Sequence, residues 1–317
     1  RDMYGVQSAS ELVRFFTEQR GLWDDKEHVM KRVTGVGLMC SVGALGGGRT
    51  MSDRFARQWV PLTLPAVDDN TLNVILTAIV NTAWTGAAES VRNMITPIVN
   101  ATKHIYAATT TKLLPTPSRA HYTFTSRDAL KIVSGVCRVS HADRDSVVRT
   151  WLHESARVVC DRLVCDSERA VAVGWLEDAV EKKMGVDGHG VLAHLATGDD
   201  GEVVVGRRKS SITLNNLNNL YFGSYGARDV YSEISNVSSL ESLWLEHQRQ
   251  YNALSKTPMS LVMFQYACAH LSRICRAVTA PNTHMVLMGE RGSGRQSLCR
   301  LACHAVGVEV EIGRAHV

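Results

Sequence analysis

Apolar positions recur three and four apart over most of this chain, and a few short continuous runs interrupt that helical period. Leu12, Val13, Phe15 and Phe16 line one face of a helix predicted over residues 10–19, with Ser10 as its cap. Residues 36–42 form an apolar run closed by Gly43, the pattern of a buried strand. Gly46, Gly47 and Gly48 follow as a loop without side chains. Residues 53–59 return to helix, and Pro61 and Pro65 end it. From Asp68 to about Arg169 the period is helical almost throughout. Leu72, Ile75, Leu76, Ile79 and Val80 mark one helix and Val91, Met94, Ile95 and Ile98 the next. Pro115 and Pro117 break the run, which resumes over 127–135 and 143–164.

Residues 185–219 are the least regular, with a strand expected over 202–205 and a solvated basic loop at Arg207, Arg208 and Lys209. Helices are predicted over 239–254 and 259–278. A strand over 285–288, a glycine loop over 289–294 and a helix over 297–305 then close the pattern. Taken together this is an α/β fold plus a helical part: a strand-bearing segment, a helical bundle, and the start of a second strand-bearing segment.

Composition narrows the class. At 45% hydrophobic and 21% charged residues, the 317-residue chain has the balance of a globular protein with a core. A formal net charge of +4 is too mild to argue for nucleic acid, which calls for clustered Lys and Arg. No apolar run approaches a membrane span, so no membrane partner is expected. The eight cysteines show no CxxC pair and no Cys–His ligand spacing; most sit in apolar helical patterns as small core residues, and a reduced cytosolic protein is expected. Arg1 followed at once by a helical pattern is expected to be a truncation. Residues 312–317 break the preceding pattern and are set aside as an expected sequencing or cloning scar.

The strand, the loop Gly289-Glu-Arg-Gly-Ser-Gly294, the trio Arg295-Gln-Ser297 and a helix follow in the order of a phosphate-binding P-loop. Glycines let backbone N–H groups converge on phosphate oxygens, and the helix N-terminus adds its positive dipole end. Arg295 stands where the usual motif has Lys, and Gln296 where it has the hydroxyl that binds Mg²⁺. Ser297, one residue later, is the candidate metal-side hydroxyl. The candidate nucleotide-binding residues are therefore Gly289, Gly292, Ser293, Gly294, Arg295, Gln296 and Ser297.

Residues 289–302 resemble the fourth-module loop of axonemal dynein heavy chains, GVGGSGRQSLTRLA, in which Arg and Gln already replace Lys and the hydroxyl. Further blocks resemble the same family in order: residues 4–14, 46–49, 113–128, and 151–163, the last similar to W-x-HE-x-x-RV-x-x-DRL. The resemblance implies AAA+ P-loop NTPase modules. Residues 1–66 would end the large subdomain of the third module and 67–170 would be its helical small subdomain. Residues 171–220 would be a connector or insertion, and 221–311 would open the fourth module.

The resemblance also implies ATP or ADP with Mg²⁺ as cofactors, and neighbouring AAA+ modules, microtubules and dynein intermediate and light chains as partners. The setting it implies is cytoplasm and cytoskeleton, in the axoneme of a cilium or flagellum. Arg54 stands at the expected arginine finger, with Arg57 in reserve, and Arg127 at the second sensor. Gly43 falls at the first-sensor position, where it offers no polar side chain. His153 and Glu154, adjacent on one helix, are expected to point apart and to serve structure rather than acid–base chemistry. A non-dynein AAA+ remodelling ATPase and a structural ring module with an empty loop are the alternative readings.

Overall fold

The computed structural model describes residues 7–43, 52–192, 212–224, 231–234, 237–281, 283–311 and 313. The expected glycine loop at Gly46–Gly48, the strand at 202–205, the basic run at 207–209 and most of the tail at 312–317 lie outside them. The chain divides into two compact units, residues 1–66 and 67–317.

In the first unit α1 (Ser8–Gln19) runs into an antiparallel hairpin of β1 (Gly21–Asp24) and β2 (Val29–Arg32), and α2 (Asp53–Ala56) is a single turn. The hairpin was not visible in the sequence pattern because its turn carries neither Gly nor Asn-Gly. Asp24 supplies the turn instead: its carboxylate accepts from the backbone N–H of Lys26 at 2.9 Å and pairs with Lys31. Residues 36–42 do not form the predicted strand. They carry no ladder, and Met39 is 97% exposed. An apolar run becomes a strand only beside another strand, and none lies against it among the described residues.

The second unit is a helical assembly. Its elements are α3 (Asp69–Ala83), α4 (Glu89–Arg92), α5 (Ile95–Lys112), α6 (Ser126–Cys137), α7 (Arg144–Val158), α8 (Asp166–Ala179), α9 (Gly188–Leu192), α10 (Leu214–Asn218), α11 (Val237–Leu254), α12 (Gln265–Thr279) and α13 (Arg295–Val306). A short ribbon of β3 (Tyr221–Gly223) and β4 (Ser232–Ile234) joins them. Asp68 and Asp143 cap α3 and α7 by accepting from the backbone N–H three residues on, at 3.1 and 2.7 Å. The larger core gathers Leu72, Leu76 and Val80 of α3, Ile98 and Ile105 of α5, Trp151 and Leu152 of α7, and Leu176 of α8. It extends through Leu192, Leu217, Phe222 and Tyr231, so residues beyond 170 pack with the bundle, and α8 itself runs through that position. A second core joins Trp244 of α11, Leu271 and Ile274 of α12, and Leu301 and Ala302 of α13.

The helix predicted from residue 259 starts only at 265. Met259 is tied to α11 instead: its N–H donates to Asn252 Oδ1 and its carbonyl accepts from Asn252 Nδ2, both at 2.8 Å. Residues 285–288, predicted as a strand, again lack a neighbouring strand among the described residues, and Val286 and Met288 are 83% and 88% exposed.

Gly135 of α6 faces Glu154 of α7. A Cβ there would sit 2.5 Å from the Glu154 carboxyl carbon. Gly-to-Ala in a helix interior ordinarily stabilises by about 1 kcal/mol. Gly135→Ala is expected to destabilise instead, by about 1–3 kcal/mol, because Glu154 is pinned and cannot yield. Urea unfolding of the variant checks this, and a midpoint at or above wild type would refute it.

Candidate phosphate loop and the buried charges behind it

The loop from Gly289 to Gly294 turns on two left-handed glycines, Gly292 (φ 86°) and Gly294 (φ 78°). A side chain is strained at both. The Ser293 N–H donates to the Glu290 carbonyl at 3.3 Å, closing the turn. A Cβ on Gly289 would lie 2.7 Å from Ser293 Oγ, so the loop ends approach closely. Gly294 is also the N-cap of α13, and the first intrahelical bond runs from the Leu298 N–H to the Gly294 carbonyl at 2.8 Å. The N–H groups of Arg295, Gln296 and Ser297 therefore have no helical acceptor and open toward solvent. Arg295 and Gln296 are exposed, and Arg295 forms no ion pair among the described residues. A phosphate group suits this donor set: converging N–H groups, a helix N-terminus and an uncommitted cation. The departure is Gln296, which offers an amide where a metal-binding hydroxyl is usual.

Arg127 lies in the first turn of α6 and is exposed. Its neighbour Asp128 does not pair with it. Burial opposes the charge on Asp128, but Arg162 Nη2 at 2.6 Å and the Thr125 N–H at 2.9 Å outweigh burial and hold its carboxyl below the ordinary range. Arg54 belongs to the other unit, 67% exposed, with Nη2 3.0 Å from Glu11 Oε2. Arg57 similarly reaches Glu18 at 3.5 Å. Such exposed pairs hold a side chain weakly, at about 0–1 kcal/mol. The loop and Arg127 thus share one unit, and no hydrogen bond or ion pair links them among the described residues.

Sequence reasoning misjudged His153 and Glu154. Both are buried, at 5% and 0% exposure, because α7 is enclosed on nearly every side. They do not point apart: His153 Nδ1 lies 3.3 Å from Glu154 Oε1. Arg276 of α12 pairs with the same carboxylate, its Nε 3.2 Å from each oxygen, and the Tyr231 hydroxyl donates to it at 2.8 Å. Burial alone would raise the Glu154 pKa, but His153 and Arg276 together hold it well below the usual range. Burial lowers His153 to about 4, so the ring is neutral at pH 7. A third contact joins the same helices: Arg157 and Arg273 share Asp161, at 3.2 and 3.3 Å. Since α12 packs on α13, these charges lie one helix behind the loop.

A wider cleft of about 430 Å³, lined by Tyr251, Arg300, His304 and Val308 among others, lies toward the C-terminal end of α13, away from the loop. No group of three or more His, Cys, Asp or Glu residues among the described ones could hold a metal ion. No described helix is long and apolar enough to cross a membrane.

Comparison with known proteins gives three family matches, in order along the chain. Residues 1–67 match a P-loop containing dynein motor region, 75–169 the ATPase lid domain of dynein heavy chains, and 259–313 the P-loop containing dynein motor region D4. Among relatives, the chain is 32% identical to human dynein axonemal heavy chain 3 over 95% of its length, covering 7% of that protein. It is 31% identical to human dynein axonemal heavy chain 12, with 95% of the chain and 10% of that protein covered. Mouse dynein axonemal heavy chain 2 is 30% identical over 95% of the chain and 6% of that protein. The chain therefore spans about a tenth or less of these relatives. With a glycine loop mounted on α13, a helical bundle ahead of it, and all three stretches matched in order, the chain belongs to the dynein heavy chains.

Proposed function

We propose that this chain is a regulatory stretch of the ring of an ATP-driven microtubule motor of cilia and flagella, running from a third AAA+ module into a fourth. The observation that carries the reading is the phosphate loop at Gly289–Ser297, seated at the head of α13 within a dynein P-loop region and preceded by a dynein lid. In this reading residues 1–66 close the third large subdomain. Residues 67–170 form its helical small subdomain, whose core Leu176, Leu192, Leu217, Phe222 and Tyr231 extend, and 221–311 open the fourth module. The axonemal relatives support a place in the cytoskeleton of the axoneme, with microtubules and intermediate and light chains met through the parent motor.

Each residue then has a role. The backbone N–H groups from Gly294 to Ser297 cradle phosphate, and Arg295 adds the charge that Lys supplies elsewhere. Ser297 offers the hydroxyl toward Mg²⁺. Arg127 senses the phosphate state from the lid. Arg54, weakly tied to Glu11, is free to neutralise charge at a neighbouring module's nucleotide, with Arg57 as reserve. Gly43 at the first-sensor position and Gln296 at the hydroxyl position favour binding and regulation over fast turnover. Bound nucleotide biases rigid-body arrangements of the ring through its differential contacts.

Nucleotide titration calorimetry on the full-length heavy chain, wild type against Arg295→Ala, tests the loop. Loss of a charge-assisted phosphate contact is expected to weaken that site by about tenfold or more. At micromolar nucleotide the measured stoichiometry should fall by one. An unchanged stoichiometry and affinity would instead favour a structural ring module with an empty loop.

A further inference from the structure

Between α7 and α12 lies a small, partly open pocket of about 10 Å³, lined by His153, Arg157, Asn218, Tyr221, Arg273 and Arg276, with Ser272 and a few apolar neighbours. It sits where the lid stretch meets the fourth-loop stretch, and neither the phosphate loop nor the sensor arginines touch it. We propose that this cavity is a binding site for one small monovalent anion, of the chloride class, held by Arg157 and Arg273.

The charges around it are uneven. Three guanidinium groups line the cavity, and no carboxylate does. Outside the lining, Glu154 answers Arg276, and Asp161, 35% exposed, is divided between Arg157 and Arg273. One guanidinium is left without a carboxylate of its own. Arg138, a further cation packed against the same helices, stacks 4.3 Å from the Tyr231 ring and donates to Thr279. Glu233 is taken by Arg149 at 2.8 Å. His153 stays neutral and adds no negative charge.

The donors are also under-used. The Arg157 side chain is 5% exposed and its Nε has no hydrogen-bond acceptor. Arg273 Nε is likewise buried without one, since Asp161 lies at ion-pair distance but is not aligned to accept. Both arginines lean on the single carbonyl of Asn218, at 3.4 and 3.2 Å. Burial pulls the Arg157 pKa below its ordinary value, the mark of an under-compensated cation. A buried cation short of charge and acceptors is costly. The cavity holds about one particle of water size. Water would satisfy the donors and leave the charge; a halide satisfies both, the flexible guanidiniums giving the extra room.

Crystals of the chain grown in bromide test this directly. An anomalous peak enclosed by Arg157 Nε, Arg273 and Asn218 is expected, and a water in its place overturns the proposal. In solution the melting temperature should rise by about 3 °C over a hundredfold range of chloride, compared with gluconate at equal ionic strength. Arg273→Gln, checked for folding by circular dichroism, should lose that dependence. Equal melting curves in the two salts overturn the proposal even if bromide is seen, since binding would then occur at crystal concentration only.

Discussion

Replacing Glu154 with Ala is expected to destabilise the chain by about 3–5 kcal/mol, the cost of leaving a buried cation without its partner. Glu154 has 0% exposure and gathers Arg276, the Tyr231 hydroxyl and His153 on one carboxylate. Removing it strands a guanidinium that is itself largely enclosed, and opens a gap against Gly135 of α6. Glu154→Gln keeps an acceptor for Tyr231 and should lose less. The double variant Glu154→Met/Arg276→Met should recover much of the loss, because a matched apolar pair carries no desolvation penalty. Urea unfolding at pH 7 measures all three. A loss below about 1 kcal/mol for Glu154→Ala would show that the pair is not the seam's anchor.

The same seam shows where sequence reasoning succeeds. Helices α3, α5, α6 and α7 were legible because each repeats apolar residues at a helical period and two begin on an Asp cap that bonds the backbone. The glycine turn ahead of α13 was legible because glycine marks positions that need a left-handed backbone, and Gly292 and Gly294 are left-handed in the fold. These signals are local: the residues that carry them are also the ones that use them.

The misses are non-local. An apolar run announces burial but not the strand that must lie beside it, so residues 36–42 and 285–288 were expected as strands and carry no ladder. The β1–β2 hairpin turns on Asp24 rather than on glycine, which hides it from a search for turn residues. His153 and Glu154 were judged by their spacing on one helix. Their environment is set by α12, more than a hundred residues further on, through Arg276. Charge in a sequence reads as surface until a partner of opposite sign is placed beside it, and nothing near Glu154 in the sequence points to Arg276. Arg127 is the converse case. Its obvious neighbour Asp128 is claimed by Arg162, and the Arg127 side chain is exposed.

Acid should unfold this chain through His153 before its carboxylates titrate. The ring is buried against Phe222 and faces Glu154, Arg157 and Arg276; burial lowers its pKa from 6.5 to about 4. The unfolded chain therefore binds a proton near pH 6.5 that the folded chain refuses until about pH 4. A folded-state pKa below the unfolded one means stability is complete above pH 6.5 and falls as pH drops through that window. At ~1.4 kcal/mol per pH unit the loss reaches about 3 kcal/mol by pH 4. His141 and His270 are also lowered by burial and act in the same direction, so His153 must be isolated by difference. Below the ordinary carboxylate range Glu154 adds a second loss with the same sign, because its depressed carboxyl stabilises the fold only while ionised. His153→Phe keeps the ring packing on Phe222 and removes the proton. Unfolding free energies measured for both proteins from pH 7 to pH 4 should converge by about 3 kcal/mol as the wild type loses its advantage. Parallel curves would mean that the ring takes its proton as readily in the folded chain as in the unfolded one.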